Sequence, residues 1–349
     1  MKSIDNYNYV IKYNDQMIQN IQEIELLKQF NKTYSPMTWL CTSTYFNYLK
    51  GNNKNTELIG ELRNNVLISA CIFTITDAKR GRALEVSHGP IIPDYNAISY
   101  RQYLDYLKNI AKQKKCDFIR INSLSPRLES IDLVFKTNGF ITTPFENMFQ
   151  NTSIVDIKGL NESSLLELYS EVTKEHISNL LTLEKNGEIK IEFSNILEDD
   201  CKPLTEQQSS EQQTFESIQD VTNYYGKENQ GFVAKLYYKN ILSAYQTFIF
   251  NNKYICNHHG AVIKNTLELN LLIHFKSMLR AIEMGIEHYD FWGTAPMNSL
   301  EHPWKESTNL KIQLGGKEHS YISGYDFPLT PKYWLTNMYE KYQKIKRGH

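Results

Sequence analysis

The sequence repeats one order of secondary-structure patterns, and the two copies lie about half the chain apart. In each copy, two runs typical of paired strands lead into a third strand-like run that ends in His-Gly. The His-Gly pairs contain Gly89 and Gly260, and the same interval separates Asp117 from His288, where a further strand is predicted. This repeat constrains the chain to fold as two related units.

A helix is predicted between the third and the last strand of each unit. Residues 100–116 place Tyr103, Leu104 and Leu107 on one helical face, and residues 270–286 carry a matching apolar stripe. Each unit therefore combines a meander of strands, a helix and one more strand, which indicates an α/β or α+β domain.

Three other segments carry a weaker pattern. Residues 163–187 alternate on a helical period and predict two helices, whereas residues 198–217 are polar and predict an exposed loop with a helix starting near Phe215. The C-terminal segment 331–347 is amphipathic with one apolar stripe, so we expect the segment to dock on the protein rather than extend from it. The stripe consists of Trp334, Leu335, Met338 and Tyr342.

Composition excludes some classes of protein. A length of 349 residues fits two domains, and the net charge of −1 is not that of a strongly basic nucleic-acid binder. Three basic clusters, "KRGR" (79–82), "KQKK" (112–115) and "KIKR" (344–347), could still meet phosphates locally, although a solvated surface is the simpler interpretation. Five dispersed cysteines without a CxxC pair indicate reduced thiols and a cytoplasmic protein. The longest apolar run, about ten residues, is too short to span a bilayer, which leaves room for transient association with a membrane surface.

The C-terminal stretch "HYDFWGTAPMNSLEHPWKESTNLKIQLGG" (288–316) is the best candidate for a site. It predicts a strand that runs out into a loop bearing Trp304, Lys305 and Lys311, closed by Gly315-Gly316. The two glycines can adopt positive φ and turn backbone amides towards an anion, or they can form a plain hairpin turn. The aromatic residues can stack on a base or a sugar, or pack in the core.

Over nearly its whole length, the chain resembles the Fem family of peptidoglycan bridge-forming aminoacyltransferases. The resemblance rests on the tandem units, on "HYDFWG" with its "HPW" sequel, and on "LKIQLGGKEHSYISGYDFPLTPKYW", where the family signature reads Phe-Lys-x-Gly-Phe-Gly-Gly. It implies two tandem N-acetyltransferase-like (GNAT) domains with mixed, mostly antiparallel sheets flanked by helices. The first domain is expected to comprise residues 1–155 and 326–349, and the second residues 156–325.

The resemblance also implies a reaction, in which an amino acid passes directly from aminoacyl-tRNA to an amine of a peptidoglycan precursor or related peptide. The ester is already activated, so no covalent nucleophile is required. Aminoacyl-tRNA is the co-substrate, and no cofactor is expected. We expect no metal either, because His258 and His259 are adjacent on a strand, point to opposite faces and have no further ligands at metal-binding spacing.

Site residues follow from the positions that match the family motifs. Lys311 occupies the signature lysine position and is the candidate catalytic cation, although a solvated loop lysine is the alternative. The resemblance assigns Lys50 and Asn122 to acceptor binding, Lys50 as a phosphate contact. The residues assigned to aminoacyl-tRNA binding are Trp304, Lys305, Gly315 and Gly316.

Three departures from the family pattern concern the acceptor. Leu181 replaces an arginine that contacts phosphate, Asn122 replaces an aspartate, and Gln313 replaces the signature glycine. An amide cannot act as a general base, so the amine would have to lose its proton by another route. The departures indicate a different acceptor or a weakened activity.

Two other functions stay open. An acyl-CoA-dependent N-acyltransferase would share the fold, but neither His-Gly segment supplies the glycine-rich pyrophosphate turn that such enzymes use. A non-catalytic binding module on the same scaffold would explain the missing aspartate.

Overall fold

The computed structural model describes residues 18–79, 81–144, 148–208, 214–263, 267–295 and 304–347. The described residues form two mixed sheets of seven strands each. We number strands and helices in chain order.

The first sheet has the order β1-β2-β3-β4-β5-β14-β6. All neighbouring strands pair antiparallel except β4 and β5, which are parallel. Its strands are β1 (Ile18–Asn20), β2 (Asn55–Arg63), β3 (Val66–Ala78), β4 (Gly81–Ser87), β5 (Phe118–Asn122), β6 (Ile141–Thr142) and β14 (Tyr325–Pro328). The chain thus returns to this sheet near its C-terminus.

The second sheet has the order β13-β7-β12-β11-β10-β9-β8. Here β11 and β12 form the parallel pair, which corresponds to β4 and β5 of the first sheet. Its strands are β7 (Asn151–Asp156), β8 (Ile189–Ser194), β9 (Gly231–Tyr238), β10 (Ile241–Phe250), β11 (Tyr254–Val262), β12 (His288–Gly293) and β13 (Lys317–Ser320).

Helices flank both sheets. Those of the first half are α1 (Ile24–Tyr34), α2 (Ser43–Gly51), α3 (Ala97–Gln113) and α4 (Glu129–Thr137). They are followed by α5 (Glu162–Leu166), α6 (Glu171–Lys185), α7 (Lys202–Gln208), α8 (Phe215–Lys227), α9 (Leu269–Glu283), α10 (Lys305–Gln313) and α11 (Tyr333–Arg347). No helix among these is long and apolar enough to cross a bilayer.

The predicted repeat is confirmed. Strands β2, β3, β4 and β5 with helix α3 follow the same order as β9, β10, β11 and β12 with helix α9. Helix α3 begins where the Asn96 side chain accepts hydrogen bonds from the N–H groups of Ile98 and Ser99, and it buries Tyr103, Leu104 and Leu107 as predicted. The fold class, two mostly antiparallel sheets flanked by helices, is confirmed as well.

Two local predictions are wrong. Residues 199–208 do not form an exposed loop, because a 3₁₀ turn and α7 bury Cys201 and Leu204. Residues 305–313 form helix α10 rather than a loop, and Leu314 beyond its end is buried in the second core. The polar composition of both segments reflects helices that bury only a few residues.

The C-terminal helix docks on the protein as predicted, but not through its apolar stripe. Helix α11 turns Tyr333, Thr336 and Asn337 inward instead, and all three are buried. The stripe residues are exposed: Trp334, Leu335, Met338 and Tyr342. The physical reason is the buried Arg120, which requires the polar face of the helix because its partner Glu340 lies there.

Candidate functional site

The second sheet contains a backbone irregularity at the end of β12. The pairing of β12 with β7 shifts register between Asp290 and Gly293, and Trp292 has a φ of +64°. A left-handed conformation is uncommon for a bulky aromatic residue, and such strain persists where the surroundings impose it, often at functional sites. The Trp292 and Gly293 carbonyl groups lie at this bulge.

Lys311 binds this bulge from helix α10. Its Nζ donates hydrogen bonds to the carbonyl oxygens of Gly293, at 2.5 Å, and Trp292, at 3.2 Å. The side chain is half-buried, and burial lowers the pKa of Lys311 to about 8, against an opposing effect of the nearby Asp290 charge. An ammonium group has three donors, so one N–H of Lys311 is left for another acceptor.

Asp290 supplies a buried negative charge beside Lys311. Its Oδ1 accepts hydrogen bonds from Thr152 Oγ1, at 2.5 Å, and from the Trp292 N–H, at 2.7 Å. Burial raises the pKa of Asp290 to about 6, although these hydrogen bonds and the Lys311 charge oppose the shift. Between about pH 6 and pH 8 both groups are therefore charged, with Asp290 ionised and Lys311 protonated.

Helix α10 is held in place from both ends. Thr308 Oγ1 accepts a hydrogen bond from the Ala295 N–H, at 2.9 Å, and thereby ties the helix to the chain leaving β12. At the other end, Gly315 has a φ of +78°, and a Cβ on Gly316 would lie 2.1 Å from Ser153 Oγ. Only glycine fits there, so the diglycine sets the close approach of α10 to β7 and the position of Lys311.

The diglycine amides do not face an anion, so that part of the sequence prediction is wrong. The Gly315 N–H donates to the Ile312 carbonyl at 2.9 Å, and the Gly316 N–H donates to the Lys311 carbonyl at 3.0 Å. These bonds satisfy the last carbonyl groups of α10 in the manner of a helix C-cap. Gly315 and Gly316 act on the site through the helix that they end.

Aromatic rings from both units meet around Trp292. Trp39, which precedes α2, stacks on Trp292 with ring centroids 6.1 Å apart, and His88 lies 5.3 Å from the same ring. Phe149 packs edge-on against Trp292 at 4.5 Å, and His258 packs on Trp39 at 5.3 Å. Trp292 is thus part of the contact between the two units, and Phe291 is a core residue.

Two histidines of this cluster are uncharged. Burial lowers the pKa of both His88 and His258 to about 3, so neither carries a proton beyond the neutral form at pH 7. The His88 Nδ1 is hydrogen-bonded to Thr38 Oγ1 at 2.9 Å. His88 Nε2 and His258 Nδ1 have no hydrogen-bond partner among the described residues. Unsatisfied buried nitrogens are costly, and they offer polar contacts to a ligand.

A crevice between the units reaches Asp290. Thr38 and Trp39 line it from the first unit, and Tyr254, Cys256 and Asp290 line it from the second. Its volume is about 10 Å³, which is room for roughly one water molecule. A substrate group would therefore have to widen this crevice or approach from the exposed side of Lys311.

The other residues predicted to bind aminoacyl-tRNA lie at the start of α10. Trp304 and Lys305 are both exposed, and the Trp304 ring lies close to Gly293, so Trp304 borders the same bulge as Lys311. Residues 296–303, which contain the "HP" of the "HPW" motif, lie outside the described residues. The structure thus places Lys305 and Lys311 near opposite ends of α10, with Trp304 directly before the helix.

The two residues predicted to bind the acceptor lie in the first unit. Asn122 ends β5 and pairs with Ser87 of β4, one residue before His88, so it lies at the same sheet end as the aromatic cluster. Lys50 is exposed near the end of α2, with Nζ 5.5 Å from the centre of the Phe46 ring. The described contacts do not connect Lys50 with Lys311.

The positions that depart from the family pattern have different surroundings. Leu181 packs on the second core from α6, whereas Gln313 is exposed on α10. Within the described ranges, no group of three or more His, Cys, Asp or Glu side chains is arranged to hold a metal ion.

Sequence reasoning missed Asp290, Trp39, Thr38 and His88 as members of this site. Asp290 lies between Tyr289 and Phe291 of a strand-like run, and an acidic residue in such an apolar strand is a signal that could have found it. The His-Gly pair that marks the repeat contains His88, yet nothing local shows that the first unit places it against Trp292 of the second.

Comparisons with known proteins support the resemblance inferred from the sequence. Residues 23–129 match the model of the FemAB family. A search for similar curated proteins found no match.

Solved structures match the fold over most of the chain. The crystal structure of FemX aligns with a TM-score of 0.76 at 14% identity, covering 93% of this chain and 99% of that chain. L-PGS from Bacillus licheniformis aligns with a TM-score of 0.55 at 9% identity, covering 94% and 98%. A tandem GNAT protein from the clavulanic acid biosynthesis pathway aligns with a TM-score of 0.53 at 9% identity, covering 88% and 94%. The resemblance to the Fem family and the tandem GNAT-like fold are therefore confirmed, by sequence within the first unit and by fold along nearly the whole chain.

Proposed function

We propose that this protein is an aminoacyltransferase that moves an aminoacyl group from aminoacyl-tRNA directly to an amine of a peptidoglycan precursor or a related peptide. The main observation behind this proposal is the environment of Lys311. Its half-buried ammonium group is oriented by two backbone carbonyls at a strained bulge, beside the buried Asp290. The match to the FemAB family model supports the choice of reaction.

In this reaction the neutral acceptor amine attacks the ester carbonyl of the aminoacyl-tRNA. The new C–N bond forms as the bond to the ribose oxygen breaks, and the proton lost by the amine ends on that oxygen. Negative charge develops on the carbonyl oxygen in between, and a fixed donor aimed at it lowers the barrier. The third N–H of Lys311 supplies such a donor, and no cofactor is needed.

Asp290 acts through Lys311 rather than on the substrate. Its negative charge favours the protonated form of Lys311, whose pKa burial has lowered. Asn122 cannot accept the proton of the acceptor amine, so we expect the amine to bind in its neutral form.

Trp304 and Lys305 are placed to meet the tRNA end. Both are exposed at the start of α10, where an aromatic ring can stack on a base and a lysine can contact phosphate. For the acceptor we keep Lys50 as a phosphate contact and Asn122 as a polar contact near the aromatic cluster.

Two helix N-termini argue against an acyl-CoA donor, which would place its pyrophosphate on such a terminus. The first N–H groups of α3 are bonded to the Asn96 side chain, and α9 begins directly after the acidic residue Glu268. The Glu268 carboxylate pairs with the His176 ring at 2.8 Å, and its negative charge near the start of α9 disfavours a phosphate group there.

The test compares donors and variants in one assay. The protein is incubated with labelled aminoacyl-tRNAs, a panel of muropeptide and small-peptide acceptors and, in parallel, labelled acetyl-CoA. We expect label to pass from aminoacyl-tRNA only, and to be lost in Lys311→Met but not in the exposed-lysine control Lys317→Met. Transfer from acetyl-CoA alone would refute aminoacyl-tRNA as the donor. Acceptor binding without any transfer would indicate a non-catalytic binding module.

A further inference from the structure

Helix α11 is oriented with its polar face towards the protein and its apolar face towards solvent. The exposed large side chains on one side of the helix form what we term the α11 stripe. The stripe consists of Trp334, Leu335, Met338, Tyr342 and Ile345, with exposed fractions between 50% and 81%. Amphipathic helices normally bury such a face, so this orientation requires a cause.

The cause is a buried charge network beneath the helix. Arg120 on β5 donates two hydrogen bonds to Asp326, at 2.7 and 2.8 Å, and two to Glu340 of α11, at 2.7 and 2.9 Å. Tyr333 donates to Asp326 at 2.9 Å and accepts from Asn337 at 3.0 Å. Rotating the helix to bury the stripe would leave the Arg120 guanidinium partly unpaired inside the protein, which is costly. The outward orientation is therefore built into the fold.

Lysines flank the α11 stripe. Lys341 lies on one side of it and Lys346 on the other, whereas Lys344 follows Glu340 by one turn on the polar side, at positions that follow from 3.6 residues per turn. All three are exposed, and none has an ion-pair partner within the part of the chain that the structure describes. The single acidic residue of the helix, Glu340, is engaged by Arg120. Near the start of the helix, Lys332 binds Asp117, which also accepts a hydrogen bond from the Arg82 N–H in the "KRGR" cluster.

We propose that α11 is a membrane-docking helix that lies in the plane of an anionic bilayer surface, with its apolar stripe among the acyl chains. An apolar face that carries a tryptophan and a tyrosine and is flanked by lysines is typical of interfacial helices. The pattern of apolar residues and lysines favours an anionic membrane surface over a second copy of the protein or an RNA. A second copy would bring its own unpaired lysines against these, and RNA would leave Leu335, Met338 and Ile345 exposed to water.

The surface is independent of the acyl-transfer site. It lies on the first sheet through β5 and β14, whereas Lys311 lies on the second. Vesicle binding can therefore be measured without any catalytic readout, and its failure would leave the proposed reaction untouched.

The test uses the full chain with vesicles of phosphatidylcholine, alone or mixed with phosphatidylglycerol. We expect co-sedimentation with the mixed vesicles and a blue shift of tryptophan emission that Trp334→Phe removes. The triple variant Leu335→Gln, Met338→Gln, Ile345→Gln should bind at least about a hundredfold more weakly, because it removes three apolar contacts.

The matched control is Val172→Gln with Ile241→Gln, which changes side chains of similar exposure, 63% and 67%, elsewhere on the surface. This variant should bind vesicles like the wild type. Thermal melts show whether each variant is folded, and substitutions at exposed positions should leave them unchanged.

A second variant tests the charges. Replacing Lys341 and Lys346 by glutamine should weaken binding to the anionic vesicles about twenty-fivefold, since each lysine near such a surface contributes about fivefold. Three results would overturn the proposal: vesicle binding unchanged in the stripe variant, a dimer that the stripe variant dissociates without any loss of vesicle binding, or lysine substitutions that weaken tRNA binding alone.

Discussion

Replacing Lys311 by methionine removes the one charge that the proposed reaction depends on, at nearly unchanged side-chain length. In the structure, two of the three ammonium donors are bonded to the Trp292 and Gly293 carbonyls, so a single donor is left for the oxyanion. Loss of one oriented donor to an oxyanion costs about 3 to 4 kcal/mol, or roughly 10² to 10³ in kcat. We expect Lys311→Met to lose that much transfer while it binds the acceptor normally.

The pH dependence of transfer distinguishes the effect of the Lys311 charge from the effect of its packing. Burial lowers the pKa of Lys311 to about 8, so the group is protonated below that pH and loses its charge as the pH rises through it. Lys311→Arg keeps its charge over the whole range, because an arginine does not deprotonate in proteins.

The measured quantity is the ratio of wild-type to Lys311→Arg transfer between pH 6 and pH 10, with one labelled aminoacyl-tRNA and one acceptor. Ionisation of the acceptor affects both proteins equally and cancels in the ratio. We expect the ratio to fall as the pH rises through about 8. A ratio that stays constant with pH, or a Lys311→Met variant that retains more than about a tenth of wild-type transfer, would refute a role for this charge.

Three further predictions follow from the same contacts. Asp290→Asn removes the charge that favours protonated Lys311, so the alkaline loss of transfer should move to lower pH, and an unchanged profile would contradict the coupling. Gly316→Ala would place a Cβ 2.1 Å from Ser153 Oγ. The variant should lose about 1 to 3 kcal/mol of unfolding free energy in urea titration, and its transfer rate should fall because α10 is displaced. Wild-type values of both quantities would contradict the close fit. Glu340→Gln weakens the pairing of the buried guanidinium beneath α11 and should cost about 2 kcal/mol of unfolding free energy, measured by urea titration; an unchanged midpoint would show that this pairing does not hold the helix.

Elements that depend on local patterns were accessible from the sequence. The β-branched and aromatic runs predict the strands on either side of residues 64–65 and 239–240, and the helical period of residues 100–116 predicts α3, because each pattern is local to its own element. The interval between the two His-Gly pairs predicted the duplication, and the motif around Lys311 predicted the family resemblance.

The site itself depends on contacts that no local pattern contains. Lys311 was predicted as a loop residue, but its environment comes from the Trp292 bulge and from Asp290 on another element. Trp39 and His88 reach this bulge from the other unit. Such contacts depend on how the two sheets meet, and that arrangement is set by packing across the whole chain.

Helix α11 shows most clearly what a local sequence pattern cannot determine. Its period alone determines that the segment is an amphipathic helix with one apolar stripe. Which face points inward was decided by Arg120, more than 200 residues earlier in the chain, because a buried guanidinium must keep its carboxylate partners and Glu340 is one of them. The sequence by itself determined the elements, their order and their duplication, whereas the tertiary structure decided which faces and which distant charges meet, since desolvation of a charge depends on every element packed around it.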